Sequence, residues 1–143
     1  MKILVLNGPN LNLLGARDSL LYGTLSLKKI EKKIKTEFPE ITFDFFQSNS
    51  EGELIDKIQS ANKAFDGIII NPGGYAHTSV AIRDALAECR ISKVEVHLSH
   101  LVNREHYRQD LITASGCDGY ISGFKENGYL AAVYLIMKLK RAK

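Results

Sequence analysis

The chain of 143 residues contains no Trp, two Cys, three Pro and a net charge of only +3. Each shortage excludes something. Cys89 and Cys117 lack metal-ligand spacing, and two cysteines are too few for a disulfide framework around a core this large, so the expectation is a reducing, cytoplasmic setting. The mild charge argues against a nucleic-acid footprint, because the basic runs Lys28–Lys35 and Lys138–Lys143 read as solvated helix faces. No stretch approaches the ~20 apolar residues that cross a bilayer, and the first apolar run is too short for a signal peptide. The phosphate-binding pattern GxxxxGK followed by Ser or Thr is absent, as is the dinucleotide pattern GxGxxG.

What is present alternates. Lys2–Leu6 (KILVL) reads as a strand buried on both faces. Leu25–Phe38 carries Leu27, Ile30, Ile34 and Phe38 at helical spacing and stops at Pro39. Ile41–Phe46 alternates as a strand. Ser50–Phe65 reads as a helix with Ser50 as N-cap and Glu53 as its capping-box partner. Strands at Gly67–Ile70, Val94–Leu98 and Tyr120–Ile121, with helices at Thr78–Cys89 and Gly128–Lys140, complete a β-α pattern with a short helix before the last strand. Strict alternation with short connections predicts one domain over residues 1–143: an α/β, flavodoxin-like, doubly wound sheet of five parallel strands with helices on both faces.

In such sheets ligands bind beyond the carboxyl ends of the strands. Here those ends carry Asn7-Gly8-Pro9-Asn10, Gln47-Ser48-Asn49, Asn71-Pro72-Gly73-Gly74 with His77 beyond, and Glu95-Val96-His97-Leu98-Ser99. The reactive residue types gather on one rim, which argues for a small-molecule site. Asn7 and Asn71 stand where a phosphorylatable receiver would want acids. Pro9 removes a backbone N–H that a flavin loop would use. A metal could be imagined on Glu95, His97, His100 and His106, but their spacing fits no common ligand motif. Glu95 and His97 lie two apart on a strand and share a face, so a carboxylate can hold the imidazole's tautomer and stabilise its charged form. His97 is thereby the general-acid candidate; the plainer alternative is a satisfied, partly buried histidine. His77 is a substrate hydrogen-bonder or simply part of a helix start. Leu98 and Ser99 form a turn that can hold a carboxylate, or an ordinary turn.

The stretch "LNGPNLNLLGARDSLLYG", Leu6–Gly23, holds no histidine and one acid, Asp18. It does hold Arg17 and Tyr22. A free tyrosine titrates near pH 10, and a nearby guanidinium favours the phenolate. The competing reading is a surface loop with an anchoring aromatic.

Taken together, "LNGPNLNLLGARDSLLYG", "NPGGYAHTSVAIRDAL" and "EVHLS" followed by "REHYR" resemble, in order and spacing, the signatures of the type II 3-dehydroquinate dehydratases. The resemblance spans nearly the whole chain. It implies trans-dehydration of 3-dehydroquinate to 3-dehydroshikimate through an enolate, in the shikimate or quinate pathway, with no metal, cofactor or Schiff-base lysine. It implies that Tyr22 abstracts the C2 proton as tyrosinate with help from Arg17, and that Asn10 holds a water against the enolate. His97, oriented by Glu95, would protonate the leaving C1 hydroxyl. Asn71, Leu98 and Ser99 would bind the carboxylate and a nearby hydroxyl, and His77 and Arg108 the ring hydroxyls. Asp84 would reach a neighbouring subunit's site in a homo-oligomer, a dodecamer built of trimers. The chain departs from the family pattern at Ala16, Ser19, His100, Val102 and Asn103.

Overall fold

The sheet is set by two interleaved patterns of apolar residues. In the computed structural model, which describes residues 1–142, strand β1 (Lys2–Asn7) lies in the interior of the sheet. Its odd-numbered residues Ile3 and Val5 enter one core, and its even-numbered Leu4 and Leu6 enter the other; all four are fully buried. Strand β3 (Gly67–Asn71) repeats the division, with Ile69 in the first core and Ile68 and Ile70 in the second. Side chains alternate across a strand, so a run such as KILVL supplies two cores at once. Each such side chain contributes about 1.5–3 kcal/mol when buried.

The first core is closed by helices α2 (Leu27–Glu37), through Ile30 and Ile34, and α5 (Asn127–Ala142), through Tyr129, Val133 and Ile136. The second is closed by α3 (Glu51–Ala64), through Leu54 and Ile58, and α4 (Val80–Glu88), through Ile82 and Leu86. With β2 (Thr42–Gln47), β4 (Ser92–His97) and β5 (Gly119–Ser122), the strands run in the order β2-β1-β3-β4-β5. Every pairing is parallel. This is the expected flavodoxin-like order, with element bounds displaced by one or two residues. Lys143, the end of the C-terminal basic run, lies outside the described residues.

Local chemistry explains the helix starts. Ser26, Ser50 and Ser79 each accept a hydrogen bond from the third residue beyond, satisfying a backbone donor that the first turn leaves open. The capping box expected at Ser50 is only half formed. The Glu53 carboxylate accepts the Ser48 hydroxyl instead, and the Ser50 N–H donates to Ser48 Oγ at 2.9 Å. Among the short turns that no sequence period announces is a single helical turn, α1 (Ser19–Tyr22), inside the first loop. Asp18 caps it, accepting the Leu20 N–H at 2.9 Å. Gly23 ends it with φ of 81°, a backbone state that favours glycine.

Candidate active site

The carboxyl ends of β1 and β3 meet in close backbone contact. The Gly8 N–H donates to the Asn71 carbonyl at 2.8 Å, and a Cβ on Gly8 would fall 2.5 Å from the Pro72 carbonyl oxygen. Gly73, with φ of +59°, answers it, since a Cβ there would lie 2.9 Å from the Pro9 carbonyl oxygen. Beneath these loops Tyr129 rises from α5 and joins the two strand ends. Its hydroxyl donates to Asn7 Oδ1 at 2.5 Å and accepts from Asn71 Nδ2 at 3.2 Å. Burial pushes the Tyr129 hydroxyl far above the ordinary tyrosine range, so it stays protonated. Asn71 Oδ1 accepts the Gly73 N–H at 3.1 Å, which fixes the amide facing the cavity.

From β4 comes the expected pair. Glu95 is wholly buried, and its Oε1 lies 2.6 Å from His97 Nε2. The other oxygen, Oε2, accepts the Thr113 hydroxyl at 2.7 Å. The His77 ring lies nearly parallel to that of His97, centroids 6.3 Å apart, and its Nδ1–H donates to the Asp110 carbonyl at 2.8 Å. Desolvation lowers the pKa of His77. The Asp110 hydrogen bond opposes this, while the positive charges of His97 and Arg108 reinforce it. At neutral pH His77 is therefore an uncharged ring suited to hydrogen-bonding a hydroxyl.

The loop after β1 that carries Arg17 and α1 forms a lid on the cavity and supplies the third wall. The Arg17 guanidinium stacks on the face of the Tyr22 ring, 3.9 Å from its centroid. The hydrogen bond to the phenolic oxygen comes from a different arginine. Arg104 Nη2 donates to Tyr22 Oη at 3.1 Å, and Arg104 Nη1 donates to Ser99 Oγ at 2.8 Å. Glu105 holds the far side of this arginine, with Arg104 Nε at 3.3 Å and Arg108 Nε at 2.9 Å. The Glu105 carboxyl is held below the usual carboxylate range, first by its own backbone N–H and then by these two guanidinium groups.

Every residue expected at the site lines one cavity, apart from Glu95 and Asp84. Glu95 stands behind His97. Asp84 lies on the exposed side of α4, 3.1 Å from Arg83 Nη1 and away from this cavity. Sequence reasoning missed Arg104 and Thr113. The only signal for Arg104 was the pair of arginines four apart in "REHYR". For Thr113 there was none. Of the four residues weighed for a metal, Glu95 and His97 pair with each other, His100 packs against Gly123, and His106 is exposed. Among the described residues no group of His, Cys, Asp and Glu is placed to hold a metal ion, and no helix is long and apolar enough to cross a membrane.

A doubly wound sheet whose carboxyl rim sets an arginine-held tyrosine and a carboxylate-held histidine on one cavity defines a flavodoxin-like protein equipped for acid–base chemistry. Comparison with known proteins narrows this class. The family described as dehydroquinase class II matches residues 1–137. A 3-dehydroquinate dehydratase of Carboxydothermus hydrogenoformans is 53% identical, over 99% of this chain and 94% of its own length. One of Clostridium botulinum is 49% identical, over 94% of this chain and 93% of its own. The crystal structure of the type II dehydroquinase from Butyrivibrio crossotus superposes with a TM-score of 0.92 at 45% identity, covering 95% of this chain and 97% of that one. The chain belongs to the class II dehydroquinase family.

Proposed function

We propose that this protein is a hydro-lyase that dehydrates 3-dehydroquinate to 3-dehydroshikimate, with the tyrosine of the lid as base and the histidine of β4 as acid. One observation carries the reading: Tyr22, bonded to Arg104, and His97, bonded to Glu95, line the same cavity. A proton next to a ketone is weakly acidic and hydroxide leaves poorly, so both a placed base and a placed acid are needed.

In the first step Tyr22, as tyrosinate, takes a proton from C2. The electron pair of that C–H bond passes into the ketone as an enolate. Arg17 over the ring and Arg104 at the oxygen supply positive charge around the phenolate. Asn10, in a left-handed backbone state with φ of 68°, closes the first rim loop and holds a water against the enolate oxygen. In the second step the enolate re-forms the ketone, the C1–C2 double bond forms, and the C1–O bond breaks. His97 gives its proton to that oxygen, which departs as water, and Glu95 stabilises the imidazolium beforehand. Asn71, Leu98 and Ser99 hold the substrate carboxylate and an adjacent hydroxyl, while neutral His77 and Arg108 hold ring hydroxyls.

The whole chain works as one catalytic domain within a homo-oligomer, a dodecamer of trimers. In keeping with this, Asp84 is exposed on α4 beside Arg83, beyond its own cavity and open to a neighbour's site. A cytoplasmic location fits the two unpaired thiols, Cys89 and Cys117.

The deciding assay incubates the protein with 3-dehydroquinate and follows the enone by ultraviolet absorbance, after treatment with a chelator and, separately, with borohydride. Turnover is expected to survive both. No turnover overturns the substrate assignment, and loss to either reagent overturns the reaction as written.

A further inference from the structure

The segment from Asp110 to Gly116 lies behind the histidines and contacts the supports of both. The Asp110 carbonyl accepts from His77, the Ile112 N–H donates to the Ala76 carbonyl at 2.8 Å, and the Thr113 hydroxyl donates to Glu95 at 2.7 Å. Gly116 fixes the segment against α4, because a Cβ there would lie 2.6 Å from the Arg83 carbonyl oxygen. Thr113 and Glu95 are both fully buried. The carboxylate therefore spans two donors, the hydroxyl at Oε2 and the imidazole at Oε1, and its plane is fixed by both. His97 Nδ1 is left for the substrate side.

We propose that Thr113 is a positioning residue for the acid: its hydroxyl fixes the Glu95 carboxylate and takes up part of its charge, so that His97 is both aimed and willing to release its proton. This rests on the reading of His97 as the acid. The physical reason is a matter of sign. With no proton on the pair, Glu95 is a buried anion, and a hydroxyl donor stabilises that state most. Once the pair carries a proton, the carboxylate's charge is partly neutralised and the hydroxyl matters less. Thr113 thus lowers the affinity of the pair for its proton. Without it, Oε2 loses its donor where water does not reach, and the pair binds the proton more tightly and gives it up less readily.

The surrounding charges do not replace that donor. His77 faces His97 across the cavity, with Arg104 and Arg108 lining the same wall. Behind Glu95 the Cys117 thiol is kept protonated by burial and by Glu95 itself, with Lys93 acting in the opposite sense.

The test is Thr113→Val, which keeps the shape and removes the hydroxyl. NMR titration of the His97 imidazole in the free protein reads the pair without substrate. The midpoint is expected to rise by about one pH unit, in line with partial loss of a hydrogen bond to a charged group. In turnover, kcat should fall about tenfold with KM changed less than about twofold, since a group acting on the chemical step alone is affected. Thr113→Ser should restore both readouts. In a Glu95→Gln background, Thr113→Val should add nothing to the loss of kcat, because the effect runs through the carboxylate. Thr113→Ala takes the place of the valine variant if that fails to fold. An unmoved midpoint, or an additive loss in the Glu95→Gln background, overturns the inference. A moved midpoint in a protein that does not turn over 3-dehydroquinate leaves the hydrogen-bond chain standing and removes the substrate assignment instead.

Discussion

The two halves of the site are built in opposite ways. The proposed acid half is short-range and dry: Glu95 and His97 are two residues apart on an interior strand, almost wholly buried, with Thr113 behind them. The proposed base half is long-range and partly open. Tyr22 sits on a single helical turn beside Leu20, which is 86% exposed, and the arginine that meets its hydroxyl is 82 residues further along the chain. A buried pair couples function to stability, because removing one partner leaves a charge without water or counter-charge. The Tyr22 ring packs against the first core, while its hydroxyl meets only Arg104 among the described residues, so removing the hydroxyl alone strikes function with little weight in the fold. The proposed reaction thus draws on one buried pair the fold needs and one hydroxyl it does not.

Substitutions on the two sides should separate rate from stability. Tyr22→Phe is expected to lower kcat by about 10³-fold or more, in the range of a lost general base. Its melting temperature should stay within about 2 °C of the parent, a difference of well under 1 kcal/mol. His97→Leu should lower kcat by a similar or slightly smaller factor and also cost about 3 kcal/mol of stability, read by urea denaturation, because Glu95 is left buried without its partner. If both variants kept full stability, the distinction between the halves would fail. Arg104→Lys should lower kcat/KM roughly thirtyfold, since an ammonium does not reproduce a guanidinium fork shared by Tyr22 and Ser99. Arg17→Lys should cost only about fivefold, as its contact is with the ring face. The reverse order would make Arg17 the principal partner of the tyrosine.

The smallest effect is one of pH. The pKa of His77 lies below its unfolded value of 6.5. The folded state thus favours the uncharged ring. That contribution is fully present above pH 6.5 and is lost as the pH falls through the lower, folded value. Urea midpoints should decline over this acidic range, and His77→Gln should decline less steeply there. An equal decline in both proteins would assign the acid sensitivity to other groups.

How much of this was legible in the sequence follows the same division. The parallel sheet came from the strict alternation of strands and helices with short connections, with KILVL and GIII reading as strands buried on both faces. Glu95 and His97 were legible as a pair because a strand's two-residue period puts them on one face. The rim asparagines could be placed by the strand that precedes each. What stayed hidden depends on the closed tertiary structure. The Arg104 hydrogen bond to Tyr22 joins a loop after β4 to a lid after β1, and no local pattern encodes it. Thr113 is an ordinary residue in a short turn until folding buries it against Glu95. The turn α1 escaped because a four-residue helix has no period to read; it depends on Asp18 as cap and Gly23 as stop. Glu53 was read as half of a capping box, but Ser48 offered its carboxylate a nearer partner.

The central claim is the division of labour between Tyr22 and His97, and solvent exchange tests it most directly. The measurement is incorporation of deuterium at C2 of 3-dehydroquinate in heavy water, beside the rate of enone formation, for Tyr22→Phe and His97→Asn. The account predicts that His97→Asn exchanges the C2 proton while forming almost no product, and that Tyr22→Phe does neither. Exchange that persists in Tyr22→Phe and disappears in His97→Asn would contradict it.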